Sequence, residues 1–189
     1  MLKKEKIAIF ASGSGTNAEN ICSYFKGHPN LKVSLILTPN PKAGVLERAR
    51  KHGVPTIVFS RGSFQSEKFL QTLQKHQITF IVLAGFLWLV PGYLIDHFPG
   101  RIINIHPALL PKFGGKGMYG MHVHQAVLTA LEPQSGITIH YVNKEYDEGT
   151  IIFQATCDVA PNDTPESLAK KVHQLEYMHY PNVIEKLLQ

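Results

Sequence analysis

The sequence predicts an α/β fold: a mostly parallel central sheet with helices on both faces and an antiparallel pair at one edge. Three observations carry that expectation. Short apolar runs alternate with amphipathic segments along the chain, the pattern of repeated strand–helix units. The run Ile78 to Ala84 is apolar with little alternation, as expected for a strand covered on both faces. The last two strand-like stretches are joined only by Asn143 to Gly149, a loop that permits antiparallel pairing.

Each element follows from local signals. Lys6 to Ala11 reads as the first strand, and Ser12-Gly13-Ser14-Gly15 turns it into a helix from Asn17 to Lys26 with Thr16 as its N-cap. Lys32 to Leu37 is the second strand, and Ala43 to His52 a helix stopped by Gly53. A short strand, Thr56 to Phe59, precedes an amphipathic helix from about Phe64 to His76. After the strand Ile78 to Ala84 come a short helix near Tyr93 to His97, a strand from Arg101 to Ile105 and a helix from Val123 to Leu131. Gly136 to Val142 and Ile151 to Thr156 are the last strands. Thr164 caps a terminal helix opened by Pro165, whose apolar spacing runs from Ser167 to Leu188 with an interruption at Pro181.

Composition narrows the class. With 189 residues, a single domain spanning 1–189 is expected. An apolar content of 44% against 17% charged residues excludes intrinsic disorder. The longest apolar run, Ile78 to Val90, contains Gly85 and stops at Pro91, short of the ~20 residues of a spanning helix. Lys3, Lys4 and Lys6 precede an apolar stretch too brief for a secretory signal. Cys22 and Cys157 make no disulfide framework and no metal-type pair, so a reduced, cytoplasmic protein is expected. The net charge of +5 suits either nucleic acid or a small polyanion. No arginine-rich stripe interleaves with aromatics, and nucleic acid is not expected as a partner.

In an open parallel sheet, ligands bind beyond the carboxyl ends of the strands, where this sequence places its polar and glycine-rich stretches. Ser12 to Asn17 is either an anion site at a helix N-terminus or a tight turn that binds nothing. It has neither the Lys-Ser/Thr ending of a triphosphate loop nor a full dinucleotide fingerprint. Asn104 and His106 share one side of a strand end, as a charge-stabilising pair or as a plain polar pair. Asp147, in a turn, either caps its own backbone or pairs with His106. His122, His124 and His140 lack supporting ligands, and no metal is expected. Gly114 to Gly120 is a flexible loop or a lid. Phe86 to Val90 is core or a slot for a flat ring, and Cys22 is an inert packing residue.

Taken together, these residues resemble the phosphoribosylglycinamide formyltransferases, folate-dependent enzymes of purine synthesis, from Ile7 to about Pro181. The carriers are Ser12-Gly13-Ser14-Gly15-Thr16-Asn17, Leu83-Ala84-Gly85-Phe86, Asn104-Ile105-His106-Pro107-Ala108-Leu109-Leu110-Pro111 and Asp147-Glu148-Gly149. The resemblance implies a Rossmann-like formyltransferase fold. It also implies transfer of a formyl group from the co-substrate 10-formyltetrahydrofolate to the amine of glycinamide ribonucleotide, without a metal. Asn104, His106 and Asp147 match the catalytic trio, with His106 acting as an imidazolium. Gly15, Thr16, Asn17 and Glu176 match ribonucleotide-binding positions. Leu87, Trp88, Leu89 and Val90, with Asn143, Lys144, Glu145, Tyr146 and Asp147, match the folate-pocket segments, which Asn104 also borders. Ala108 stands where many relatives carry serine, and Arg61 is the nearest candidate for an arginine that some relatives direct toward the folate.

Two other activities share this chemistry. A formyltetrahydrofolate hydrolase is expected to add an N-terminal regulatory domain, and a methionyl-tRNA formyltransferase a C-terminal RNA-binding one. The 189 residues are expected to hold neither. A non-catalytic folate or nucleotide binder on the same scaffold is the third alternative.

Overall fold

A computed structural model of the chain describes residues 4–189; Lys3 of the basic cluster lies outside them. Seven strands form one sheet in the order β3-β2-β1-β4-β5-β6-β7. Strands β1 (Glu5–Phe10), β2 (Leu31–Thr38), β3 (Thr56–Val58), β4 (Phe80–Leu83) and β5 (Ile102–His106) are parallel. β6 (Gln134–Tyr141) and β7 (Ile151–Asp158) add the antiparallel edge.

Both faces of the sheet are covered, as the unbroken apolar runs require. On β1, Ile7 and Ile9 join a core with α1 (Thr16–Tyr24), α2 (Val45–Lys51), α6 (Met121–Thr129) and α7 (Pro165–Leu188). Ala8 and Phe10 face the opposite core, closed by α3 (Arg61–Phe64), α4 (Phe69–Lys75) and α5 (Gly92–His97). That second core is an aromatic cluster: Phe10, Phe59, Phe64, Phe69, Phe86 and Trp88 meet with ring centroids as close as 5.1 Å. Burying such rings contributes on the order of 2 kcal/mol each.

Three local expectations are corrected. Thr16 is the first residue of α1, not its cap. The cap position falls on Gly15 at φ 77, and no side chain bonds there. A Cβ on Gly15 would lie 2.5 Å from the Val45 side chain, so both backbone and packing demand glycine. The helix expected over Phe64 to His76 is split into α3 and α4. Ser60 caps α3 through the Ser63 N–H, and a turn at Ser66 re-aims the chain so that Phe64 and Phe69 both reach the aromatic core.

Pro181 does not interrupt α7, which runs unbroken with Pro181 inside and buried. Proline removes the N–H that would have met the carbonyl four residues earlier. That carbonyl, on Tyr177, instead accepts the Asn20 side-chain amide at 2.9 Å. The terminal cap is as expected: Thr164 and Ser167 bond reciprocally at the first turn.

Candidate active site

Strand order reverses direction at β1: β2 and β3 lie to one side, β4 and β5 to the other. Such a switch point opens a crevice at the strand ends. The turns after β1 and β4 are clasped there, Ser12 N–H to the Gly85 carbonyl at 2.9 Å and Leu87 N–H to Ser12 Oγ at 3.2 Å. The cleft above them has a volume of about 820 Å³, ample for a small-molecule site.

At one end β5, β6 and the loop after β6 bring four polar side chains together. Asp147 Oδ2 lies 3.4 Å from His106 Nδ1, and Asp147 Oδ1 accepts from Asn104 Nδ2 at 3.3 Å. Gly115 N–H also donates to Asp147 Oδ2, at 2.9 Å. The fourth member is His140, register partner of Asn104 across the β5–β6 ladder. Its Nδ1 lies 2.9 Å from the Tyr141 carbonyl, and its Nε2 lies 3.6 Å from Asp147 Oδ1 and 3.2 Å from Asn104 Nδ2, whose second N–H it accepts in the tautomer that donates from Nδ1. Both Asn104 donors are therefore engaged, which also fixes the amide's orientation. Turned over, Asn104 Oδ1 would face a carboxylate.

His106 is 3% exposed and contacts the Phe113 carbonyl through Nε2 at 2.7 Å. Either neutral tautomer turns a lone pair toward one of its two oxygen neighbours; only the imidazolium satisfies both. Burial opposes that charge. It outweighs the pull of Asp147 and the Phe113 carbonyl, so the His106 pKa lies below its ordinary value. Burial thus works against the imidazolium that the resemblance implies, while both ring nitrogens face oxygens that would hold its proton. Burial alone would raise Asp147, but His140, His106 and the Gly115 N–H together hold it below the usual carboxylate value. Both flanking residues, Phe113 and Asp147, have left-handed backbones at φ 58, the kind of local strain that collects at functional sites.

The exit from β5 is held rigidly. Thr138 Oγ1 donates to the Ala108 carbonyl at 2.7 Å and accepts the Leu110 N–H at 3.0 Å. Gly114 packs so tightly that a Cβ there would lie 2.5 Å from Leu110 and 3.3 Å from Asp147 Cβ. The glycine-rich loop thus borders the cleft with one end fastened to Asp147.

The opposite end is built from the turn after β1, α1 and α7. Gly15, Thr16 and Asn17 line the cleft beside Glu176. Asn17 Nδ2 donates to Glu176 Oε2 at 2.9 Å, and His173 Nδ1 meets the same oxygen at 2.7 Å. Glu176 is only 4% exposed. Beside it His124 is buried, and burial first, then the neighbouring His173, lowers its pKa. Asn17 Oδ1 and His124 Nδ1 are buried without a hydrogen-bond partner.

Leu87, Trp88, Leu89 and Val90 border the third side, tied to the loop after β6 by the Leu89 N–H on Tyr146 Oη at 3.0 Å. Trp88 and Phe86 serve both earlier readings, packing on the aromatic core while facing the cleft. Glu145, Tyr146 and Asp147 line the cleft as well. Asn143 and Lys144 do not. Asn143 Oδ1 accepts its own loop's Glu145 N–H at 3.0 Å, and Lys144 pairs with Asp96 at 3.5 Å. Arg61 lies over the Trp88 ring, 5.6 Å from its centroid.

The formyl transferase family model matches residues 5–184. This chain belongs to that family. A chloroplastic phosphoribosylglycinamide formyltransferase of Arabidopsis thaliana is 44% identical over 96% of this chain and 65% of its own length. The chain thus spans a little under two thirds of that relative, and 62% of a second plant relative from Vigna unguiculata. A phosphoribosylglycinamide formyltransferase of Bacillus subtilis is 35% identical, with 97% of this chain and 95% of that protein covered. The crystal structure of such an enzyme from Bacillus halodurans superposes with a TM-score of 0.88 at 39% identity, covering 98% and 96% of the two chains.

In this member of the family, the sequence signals leave one residue of the polar cluster outside the candidate site. His140 was considered only as a metal ligand. Its signal was alternation: it lies on an antiparallel strand whose partner at that position is Asn104, and directly opposite residues share a face. Among the described residues, no group of three or more His, Cys, Asp or Glu is placed to hold a metal ion. His122 is exposed and its ring packs edge-on against Tyr119. No helix among the described residues is long and apolar enough to cross a membrane.

Proposed function

We propose that this chain transfers the formyl group of 10-formyltetrahydrofolate to the primary amine of glycinamide ribonucleotide, a step of de novo purine synthesis. The observation that carries the reading is the meeting of Asp147 with Asn104 at 3.3 Å and with His106 at 3.4 Å, in a cleft with an anion-type turn at its other end. Similar proteins named for this activity support it. Gly15, Thr16, Asn17 and Glu176 receive the ribonucleotide; Leu87 to Val90 and Glu145 to Asp147 border the folate.

The amine attacks the formyl carbon, and the carbonyl oxygen becomes an oxyanion while the nitrogen gains positive charge. Neutral His106 takes the surplus amine proton and returns it to N10 of the folate as the C–N10 bond breaks. Asp147 and the Phe113 carbonyl stabilise the imidazolium while it lasts. Asn104 stabilises the oxyanion by moving one N–H from His140 to the substrate. Its present bonds of 3.2 and 3.3 Å are at the long end of the range, so the exchange costs little. Holding amine and formyl carbon in line supplies much of the remaining acceleration. The thiols of Cys22 and Cys157 are free, which suits a reducing compartment such as the cytoplasm.

A spectroscopic assay of folate deformylation, run with and without glycinamide ribonucleotide, tests the reading. Strict dependence on the amine is expected. Equal formyl loss without it would make the chain a hydrolase, and no turnover in either case would make it a binder.

A further inference from the structure

The outermost strand carries a side chain that reaches the chemistry through the backbone. Gln154 lies on β7, exposed at the sheet edge and in register with Thr138 of β6. Its Nε2 stands 2.8 Å from Thr138 Oγ1 and 3.1 Å from the Leu110 carbonyl. The amide nitrogen carries two hydrogens and serves both acceptors; turned over, Oε1 would face the Leu110 carbonyl. Thr138 Oγ1 is then fully used, since it also accepts the Leu110 N–H and donates to the Ala108 carbonyl. Gln154 and Thr138 between them hold both polar groups of the Leu110 backbone.

Leu110 begins the stretch of chain that reaches the catalytic groups. Further along it, the Phe113 carbonyl faces His106 Nε2 at 2.7 Å, Gly114 packs against Leu110 and Asp147, and the Gly115 N–H meets Asp147 Oδ2 at 2.9 Å. A second hollow, of about 390 Å³, borders this stretch and is lined by Leu110, Pro111, Gly114, Gly115 and Asp147 among others. Atoms facing such a space have no packing partner on that side, so hydrogen bonds decide where the stretch sits. Among the described residues, the partner of the Leu110 carbonyl is Gln154.

We infer that Gln154 is a positioning residue for formyl transfer: by fixing the Leu110 backbone it keeps the Phe113 carbonyl in place against His106. The inference rests on the functional reading above and extends it to a side chain outside the cleft. Without the two Gln154 N–H groups, the Leu110 carbonyl turns to solvent in the hollow and draws the following residues with it. His106 then keeps Asp147 but loses the Phe113 carbonyl. Burial lowers the His106 pKa, while Asp147 and then the Phe113 hydrogen bond raise it. His140 on β6, Glu176 on α7 and His124 on α6 act on the ring as well, and a change at Gln154 leaves them in place. Loss of the Phe113 bond therefore lowers the pKa further. The ring stays neutral to lower pH, and its imidazolium is held less well when it forms.

Kinetics across pH and thermal melts of wild type, Gln154→Met, Gln154→Thr and Thr156→Gly test this. Methionine keeps the length without donors; threonine suits a strand but is too short to reach Leu110. Thr156 is also exposed on β7, and glycine there weakens the strand without touching the exit from β5. Both Gln154 variants are expected to lower kcat about tenfold, the scale of one hydrogen bond, with both KM values little changed. Their acid limb should move to lower pH. Thr156→Gly should lower Tm while kcat and the acid limb stay at wild type. The inference is overturned if either Gln154 variant keeps the wild-type kcat, if kcat falls with an unmoved acid limb, or if Thr156→Gly reproduces both losses. A wild-type chain that transfers nothing to the amine overturns the functional reading, and this inference with it. An active wild type with an indifferent position 154 overturns the inference alone.

Discussion

The two ends of the cleft solve opposite problems. At the end formed by β5, the polar side chains are bonded to one another. Asn104 spends both N–H groups, Asp147 receives Asn104 and the Gly115 N–H, and His106 sits between two oxygens. At the α1–α7 end, Asn17 Oδ1 and His124 Nδ1 are buried and unpaired. Satisfied networks are rigid and set a geometry in advance. Unsatisfied buried groups cost stability, by roughly 1–3 kcal/mol each, and are tolerated where something else completes them. The first end is arranged for chemistry before substrate arrives; the second is finished by substrate. Substitutions at the first should therefore strike kcat, and at the second KM.

The largest effect is expected from His106→Ala, which removes the proton carrier and should cut kcat by about 10³-fold, within the usual range for acid–base groups. The fold should persist, because the substitution leaves the ladder of β5 intact and the cavity lies at the cleft. Circular dichroism with single-turnover kinetics checks both halves. Turnover near wild type would remove His106 from the mechanism.

Asp147→Asn comes next and gives the contrast a pH axis. Asparagine tolerates the left-handed backbone at φ 58, so the change is one of charge. We expect kcat to fall about 10²-fold. The rate depends on neutral His106, so kcat declines as pH falls through its depressed pKa. The Asp147 charge raises that pKa against burial, so the variant's acid limb should move to lower pH. A limb that stays put or moves upward would show that Asp147 does not act through His106.

Much of this contrast was legible in the sequence, and what was not has a common cause. The strand–helix alternation, the antiparallel edge and the terminal cap follow from local periodicity and turn chemistry. So does the shared face of Asn104 and His106, because strand alternation is a local rule. The contact between His106 and Asp147 spans forty-one positions, and no local rule supplies it; the family resemblance did. Pro181 misled because the partner that rescues its helix, Asn20, comes from the other end of the chain. The downward shift of the His106 pKa has the same kind of origin. Burial outweighs a neighbouring carboxylate there, and burial is a property of the packed molecule.

His140 sharpens the comparison from inside the chemical end. If it serves only to hold Asn104, then His140→Phe keeps the aromatic bulk but removes the acceptor for one amide N–H. We expect kcat to fall about tenfold, the worth of one hydrogen bond of ordinary strength, with both KM values little changed. Recovery of most of the rate in His140→Gln, whose carbonyl can accept the same N–H, would mark the effect as positional. Equal loss in both variants would mean that the ring itself takes part in the reaction.

The smallest expected effect lies at the other end and is the most discriminating. Asn17→Ala deletes the donor to Glu176 and, with it, the buried unpaired Oδ1. The free protein should lose little stability, since one bond is lost while one unsatisfied atom disappears. With substrate present the balance changes, because the group that would have completed Oδ1 now finds nothing. We expect the ribonucleotide KM to rise about fivefold, on the scale of a single neutral hydrogen bond, and the folate KM and kcat to stay near wild type. A fall in kcat of similar size would mean that the two ends are mechanically coupled. The division between a preassembled chemical end and a substrate-completed anion end would then fail.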